Sequence, residues 1–285
     1  MSGSVAESID WAIVAVRFAT YGLAILLFGA ALFRTLQPAP GPARSRVAAA
    51  APLALGLAAL TYLALLARQA NGGAGWPPAD LTITLAVGTG FGRALVATAA
   101  CGLALAVVRQ SRPRLVLSGV ALAGLAFVGH AADGEGPRGL LRLAVMALHL
   151  LAVGAWLGAL GPLAAALIRD RDAAPAMLRR FGNLALLAVF VVLGAGLCSL
   201  AFVIADARGA IGGAYLRALV VKLLLVAALL AVAAVNRWLL TPLAARDADR
   251  AIRWVRASIA AEQALGAAVI AAVAVLGQLD PAMRL

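Results

Sequence analysis

The chain has 285 residues, of which 64% are hydrophobic and only 13% are charged, and its mean hydropathy is +0.99. Soluble domains are about half apolar and about a quarter charged, so this composition excludes an ordinary soluble enzyme or binding domain. The net charge of +12 does not indicate nucleic-acid binding, because the basic residues recur in separate loops and form no single patch.

Several stretches reach the length of about 20 apolar residues that a membrane-spanning helix needs. Their glycine and alanine content favours closely packed helices over a β-barrel, whose strands would alternate polar and apolar residues. We predict an all-α polytopic membrane protein with eight transmembrane helices, forming one integral membrane domain over residues 1–285. The predicted spans are 8–33, 47–69, 83–108, 115–132, 139–168, 181–205, 213–240 and 254–277.

Arginines are concentrated in the loops after the first, third, fifth and seventh predicted spans, and few lie in the other loops. Arginine-rich loops of multi-span proteins face the cytoplasm. The pattern therefore predicts that both termini are periplasmic. The short polar loop between the fourth and fifth spans, GHAADGEGPRG, should lie on the periplasmic side as well.

The fifth predicted span has two distinct faces. Gly154 and Gly158 have the small-xxx-small spacing that lets a neighbouring helix approach closely. The opposite face presents larger and polar side chains at helical spacing. These are Arg142, Met146, His149 and Trp156.

His130 and His149 are the only histidines, and both lie in or beside apolar segments, where ionisable side chains usually mark a site. Met146 and a neutral His149 are competent copper ligands, and Asp133 follows His130 closely. Two plainer interpretations remain open: His149 bonds to a neighbouring helix, and Asp133 lies in a solvated loop. By helical rise His149 lies ~14 Å along its span and His130 only ~5 Å below the surface. Sharing one ion would require nearly equal depths, so either the predicted register is shifted by a few residues or the two histidines are successive stations on one route.

A second set of candidate residues is charged or polar and lies within the spans. Lys222, the only lysine, and Asn236 share a face of the seventh span, and Glu262 lies in the eighth. Arg17 and Arg93 are predicted to lie deep in the first and third spans. A buried cation needs a partner, so Glu262 is expected to pair with Lys222 or an arginine, or to act with Lys222 as a charge relay.

The sequence contains no nucleophile elbow, phosphate-binding loop, zinc-protease motif or CxxC motif. We therefore predict that the protein is not an enzyme. One redox alternative stays open, because His130 and His149 could together ligate a single haem whose propionates would need basic partners such as Lys222.

Four segments together resemble the bacterial copper-resistance protein D (CopD) family. They are GHAA at 129–132, HLLAVGAWLGALGPL at 149–163, RRFGNLALLAVFVVLGAGL at 179–197 and YLRALVVKLLLVAALLAVAAVNRWLLTPL at 215–243. The resemblance covers about residues 115–270, while the first hundred residues are similar only in topology.

This resemblance implies an inner-membrane protein of eight spans that moves copper from the periplasm to the cytoplasm. It implies that His130 and His149 are copper ligands, and Glu262 falls where the family tends to carry a glutamate. Family members often work beside, or fused to, a periplasmic copper-binding protein of the CopC type. This chain has no fused domain of that kind, so a separate partner is expected to deliver the copper.

Overall fold

The computed structural model describes residues 9–37, 46–73, 75–129, 136–206, 213–243 and 246–279. Every regular element within these ranges is helical, which confirms the predicted all-α class. The helices are α1 (Trp11–Leu36), α2 (Arg46–Ala70), α3 (Ala79–Gly88), α4 (Gly90–Val107), α5 (Ser111–Gly124), α6 (Gly136–Arg169), α7 (Ala174–Asp206), α8 (Gly213–Val235), α9 (Thr241–Leu243) and α10 (Ala248–Leu276). A π-helical turn, Asn236–Leu240, joins α8 to α9.

Within the described residues, seven helical segments are long and apolar enough to cross a bilayer, so this is a multi-span membrane protein. The prediction of several spans is therefore confirmed, but the number eight is not. The side of the membrane on which the termini lie stays a prediction. The seven segments are Trp11–Leu36, Ala48–Ala70, Gly90–Val107, Gly136–Arg169, Ala174–Asp206, Gly213–Leu243 and Arg250–Leu276.

The fourth predicted span, 115–132, corresponds to α5, which is the helix missing from that set. Its 14 residues rise only about 21 Å, against a bilayer core of about 30 Å. A 3-10 turn, Leu125–Phe127, continues it. The Tyr21 hydroxyl of α1 lies 3.0 Å from the carbonyl oxygens of both Leu125 and Val128, where α-helical bonding has ended. Tyr21 thus stabilises the early end of this helix.

The third predicted span, 83–108, is broken into α3 and α4 at Thr89. This residue has extended backbone angles, and its hydroxyl accepts from the Gly92 amide at 3.0 Å, which caps the start of α4. Gly92 packs against the Leu85 carbonyl so closely that a Cβ would overlap it. The GTGFGR sequence therefore ends one helix and starts another.

Helix α1 lies at the centre of the packing and contacts α2, α5, α6 and α10. Its closest approach is to α6, where Gly29 and Gly158 meet backbone to backbone with no room for a Cβ on either residue. Gly154 of α6 packs on Phe28 of α1. This confirms the predicted small-residue face of the fifth span and identifies its partner as α1.

The last helices are held less tightly to one another. Helix α7 packs along α6, and α8 packs along α10, but α7 and α8 make almost no direct contact in the described part of the chain. Consequently a gap lies between α7 and α8, and most of their side chains are exposed or half-buried. This gap borders the polar residues considered next.

Candidate functional site

The polar face of α6 looks toward α7 in its first half and toward α10 further along. Near its start, the Arg142 guanidinium is 2.5 Å from the Asp206 carboxylate of α7, and Arg138 is 3.2 Å from the same group. Both guanidiniums also lie over the ring of Phe202. Arg142, one turn before Met146, therefore shares the single Asp206 carboxylate with Arg138.

His149 is bound to the backbone of α7. Its Nδ1 lies 3.1 Å from the carbonyl oxygen of Val192, and the ring packs beside Gly196 of the same helix. A carbonyl only accepts, so Nδ1 carries the proton and donates it. In the neutral ring the lone pair is then on Nε2, and the backbone fixes both the tautomer and the ring orientation, as it does for many metal-binding histidines.

Two predicted site residues lie near His149. Met146 is one turn earlier on α6 and is partly buried against the core. Lys222 of α8 is half-buried and near enough to His149 for their charges to interact. His130 and Asp133, the remaining predicted ligands, lie outside the described residues. Within the described ranges, no group of three or more His, Cys, Asp and Glu side chains is placed to hold a metal ion.

Glu262 forms a second polar cluster, with partners other than those the sequence predicts. Its side chain is only 2% exposed, and its carboxylate accepts from Trp156 Nε1 at 3.1 Å and from the Asn236 amide. The predicted pairing with Lys222 or an arginine is not found: in the described part of the chain, Glu262 forms no ion pair. The reason is the axial distance from Lys222 of α8 to Asn236, the first residue of the π-helical turn, which is fourteen residues or about 21 Å of helical rise.

Sequence reasoning placed Trp156 and Asn236 on helical faces but missed their contact with Glu262. Trp156 and Glu262 are separated by 106 residues, and no local pattern joins them. The one available signal was chemical: a carboxylate in an apolar segment needs hydrogen-bond donors, and an indole N–H and an amide are neutral donors that tolerate burial.

A cavity of about 400 Å³ adjoins the Glu262 cluster. It lies between α6, α7, α8 and α10, in the half of these helices next to the α6–α7 and α9–α10 connections. Its walls are mostly apolar and include Phe181 and Trp238, and its polar end is formed by Asn236 and Glu262. Arg237 also lines the cavity, with its guanidinium donating to the Asn183 side chain at 3.0 Å.

The two predicted intramembrane arginines have different environments. Arg17 is buried, 8% exposed, with its guanidinium over the ring of Tyr21 and against the backbone of Gly129 and Gly277. Arg93 is exposed, and the prediction that it is deeply buried is wrong. Because α4 begins at Gly90, Arg93 lies in the first turn, where it donates to the Val87 carbonyl at 2.9 Å. Neither arginine is bonded to Glu262.

Comparison with known proteins gives two family matches in succession. Residues 8–140 match "Copper resistance protein D-like, N-terminal domain", and residues 175–276 match "Copper resistance protein D". These matches reach further toward the N-terminus than the range 115–270 that the motifs indicate.

Two curated proteins are similar to the chain. Copper resistance protein D of Pseudomonas syringae pv. tomato is 30% identical, over 95% of this chain and 97% of that protein. Inner membrane protein YebZ of Escherichia coli (strain K12) is 32% identical, over 55% of each chain. No solved structure matches the chain.

Proposed function

Because this chain belongs to the copper resistance protein D family, as its motifs predict, we propose that it carries copper ions across the bacterial inner membrane, from periplasm to cytoplasm. The names of these two relatives refer to copper resistance and to the inner membrane. The proposed activity is transport and involves no chemical conversion of a substrate.

One observation carries the proposal: the Nε2 lone pair of His149 is left free by the bond from Nδ1 to Val192, on a membrane-spanning helix. Met146 lies one turn away on the same helix, and a thioether with a neutral imidazole suits Cu(I). The Asp206 carboxylate, shared by Arg142 and Arg138, offsets part of the positive charge near this point. His130 and Asp133 are proposed either to complete this site or to form an earlier station on the route.

We expect His149→Ala to abolish copper binding by the purified protein and copper uptake into vesicles, because it removes the one fixed nitrogen ligand. Met146→Leu keeps the side-chain volume but removes the sulfur, and should weaken binding to a smaller degree. His130→Ala should slow capture more than passage, because His130 is predicted to lie nearer the periplasmic surface. Metal content and uptake are measured on the same preparations.

Leu148→Ala is the matched control, because this neighbour on α6 is exposed and its side chain carries no ligand atom. It should bind copper like the parent. If His149→Ala also binds copper like the parent, the histidine only anchors α6 to α7 and the proposed site is lost.

The proposed orientation places both termini in the periplasm, which requires that α5 crosses the membrane together with its 3-10 turn. A reporter active only in the cytoplasm, fused after Leu285, should then be silent, and the same reporter inserted in the α6–α7 connection should be active. Activity of the C-terminal fusion would show that only seven segments span the membrane.

Delivery of copper is proposed to involve a periplasmic copper-binding protein of the CopC type, the kind of partner that the family resemblance implies. A partner of that kind would reach the route at the periplasmic ends of α5 and α6. The lipid bilayer is the other constant partner of these helices.

The second candidate function is a haem-binding redox protein. The observation that favours it is Lys222. A cation beside His149 would attract the carboxylates of a haem, whereas it would repel a copper ion. The absorption spectrum of the purified protein separates the two. Copper transport predicts no Soret band, whereas a bis-histidine haem predicts one that disappears in both histidine variants.

A further inference from the structure

The cavity beside Glu262 has polar atoms whose hydrogen-bonding capacity is not used. The Asn236 amide nitrogen donates to Glu262, but the Asn236 Oδ1 atom is buried and has no partner in the described part of the chain. Glu262 accepts two bonds, from Trp156 and Asn236, while an ionised carboxylate can accept about four. The unused positions on these two residues are acceptors, so a head group placed against Asn236 Oδ1 and Glu262 must bring hydrogen-bond donors.

The remaining surface of the cavity is apolar, which favours an occupant whose other part is apolar. Leucine, alanine, valine and aromatic side chains form the walls, and a volume of about 400 Å³ is in the range of small-molecule sites. A hydrated ion would leave these walls in contact with water at a free-energy cost. A molecule with an apolar body fills them favourably.

The gap between α7 and α8 supplies a route of entry. Residues of both helices line the cavity, among them Ala185 of α7 and Ala234 of α8, yet the two helices scarcely touch each other. In a membrane this gap faces the hydrocarbon region, so a molecule dissolved in the bilayer can reach the Glu262 cluster without crossing water.

We infer that the cavity binds a membrane-soluble amphiphile whose polar head donates hydrogen bonds to Asn236 Oδ1 and the Glu262 carboxylate. The head is a hydroxyl or an ammonium group, since both donate hydrogen bonds to acceptors such as Asn236 Oδ1 and the Glu262 carboxylate. The apolar body lies between α7 and α8. This site is separate from the copper route at His149 and does not depend on the proposed transport.

The test compares probes of one shape that differ in their donors. Para-hexylphenol donates one hydrogen bond, its methyl ether, para-hexylanisole, donates none, and para-hexylbenzylamine carries an ammonium. The full chain in lipid nanodiscs is titrated with each, and the dissociation constant is obtained from the rise in melting temperature. The phenol should bind about tenfold more tightly than the anisole, since one donor to a charged acceptor is worth that much or more.

The third probe distinguishes the two heads. Tighter binding of the amine than of the phenol would support the inference and identify the ammonium as the preferred head, and the reverse order would support a hydroxyl. Equal affinity for phenol and anisole would overturn the inference, because the cavity would then be a purely apolar lipid contact. Absence of stabilisation by any probe would overturn it too.

Variants tie the binding to this cavity. Ala234→Phe should fill it and abolish stabilisation by the phenol, whereas Ala228→Phe, an exposed position of α8 outside the cavity lining, should bind like the parent. Asn236→Leu should remove most of the preference for phenol over anisole. If Ala234→Phe and Asn236→Leu both keep the parent's preference, the probe binds elsewhere and the inference is wrong.

Discussion

Gly158→Ala is expected to lower the free energy of unfolding by about 3 kcal/mol, the upper end of the usual cost of overpacking. A Cβ at this position would overlap the carbonyl oxygen of Ile25, which is backbone and has no rotamer to change. To accommodate the methyl group, α1 and α6 must move apart. Since α1 also contacts α2, α5 and α10, that movement disturbs most of the packing. Thermal melts in detergent measure the loss.

Gly161→Ala is the matched control on the same helix. A Cβ there meets nothing within 4 Å. Because alanine favours the helix over glycine by up to about 1 kcal/mol, this variant should be as stable as the parent or slightly more stable. Similar melting temperatures for the Gly158 and Gly161 variants would show that the α1–α6 contact is not as close as the structure has it.

Glu262→Gln is expected to cost about 1–3 kcal/mol, because the glutamine amide turns one acceptor into a donor that opposes either Trp156 Nε1 or the Asn236 amide. Trp156→Phe should cost a similar amount by leaving the carboxylate one donor short. The double variant should lose less than the sum of the two, with a coupling energy above about 0.5 kcal/mol. Thermal melts of the parent, the two single variants and the double variant measure this coupling energy.

A second double-mutant cycle, with Lys222→Met and Glu262→Gln, serves as the comparison. These two residues lie far apart along α8 and α10 and form no ion pair, so their effects should add within about 0.5 kcal/mol. Strong coupling in this cycle, with none between Trp156 and Glu262, would mean that the helices are arranged differently and that the lysine neutralises the acid.

The membrane class and most helices could be predicted from the sequence, because hydropathy over a span of about 20 residues reports burial in lipid directly. Helical periodicity likewise predicted the two faces of α6: Gly154 and Gly158 pack on α1, and His149 faces α7. The GTGFGR interruption was visible as a run of glycines. Its effect, two separate helices joined at Thr89, needed the cap geometry as well.

The partners of charged residues could not be predicted, because they depend on contacts between distant parts of the chain. Depth along a helix was the misleading measure in the case of Arg93, since a shift of a few residues in the start of α4 moved it from the interior to the first turn. Counting charges predicted that Glu262 pairs with a cation. Neutral donors from Trp156 and Asn236 met the same need without a second buried charge.

The burial of Arg17 depends on segments of the chain that are synthesised at different times. The guanidinium lies against Gly277, at the end of α10, and against Gly129, so its surroundings come from three distant parts of the chain. The ribosome releases α1 first and α10 last. For most of synthesis the first helix therefore carries a cation without its final environment, in a segment where charge is costly. A chain that stops before α10 lacks the contact between Arg17 and Gly277, so the environment of Arg17 differs between an incomplete and a complete chain.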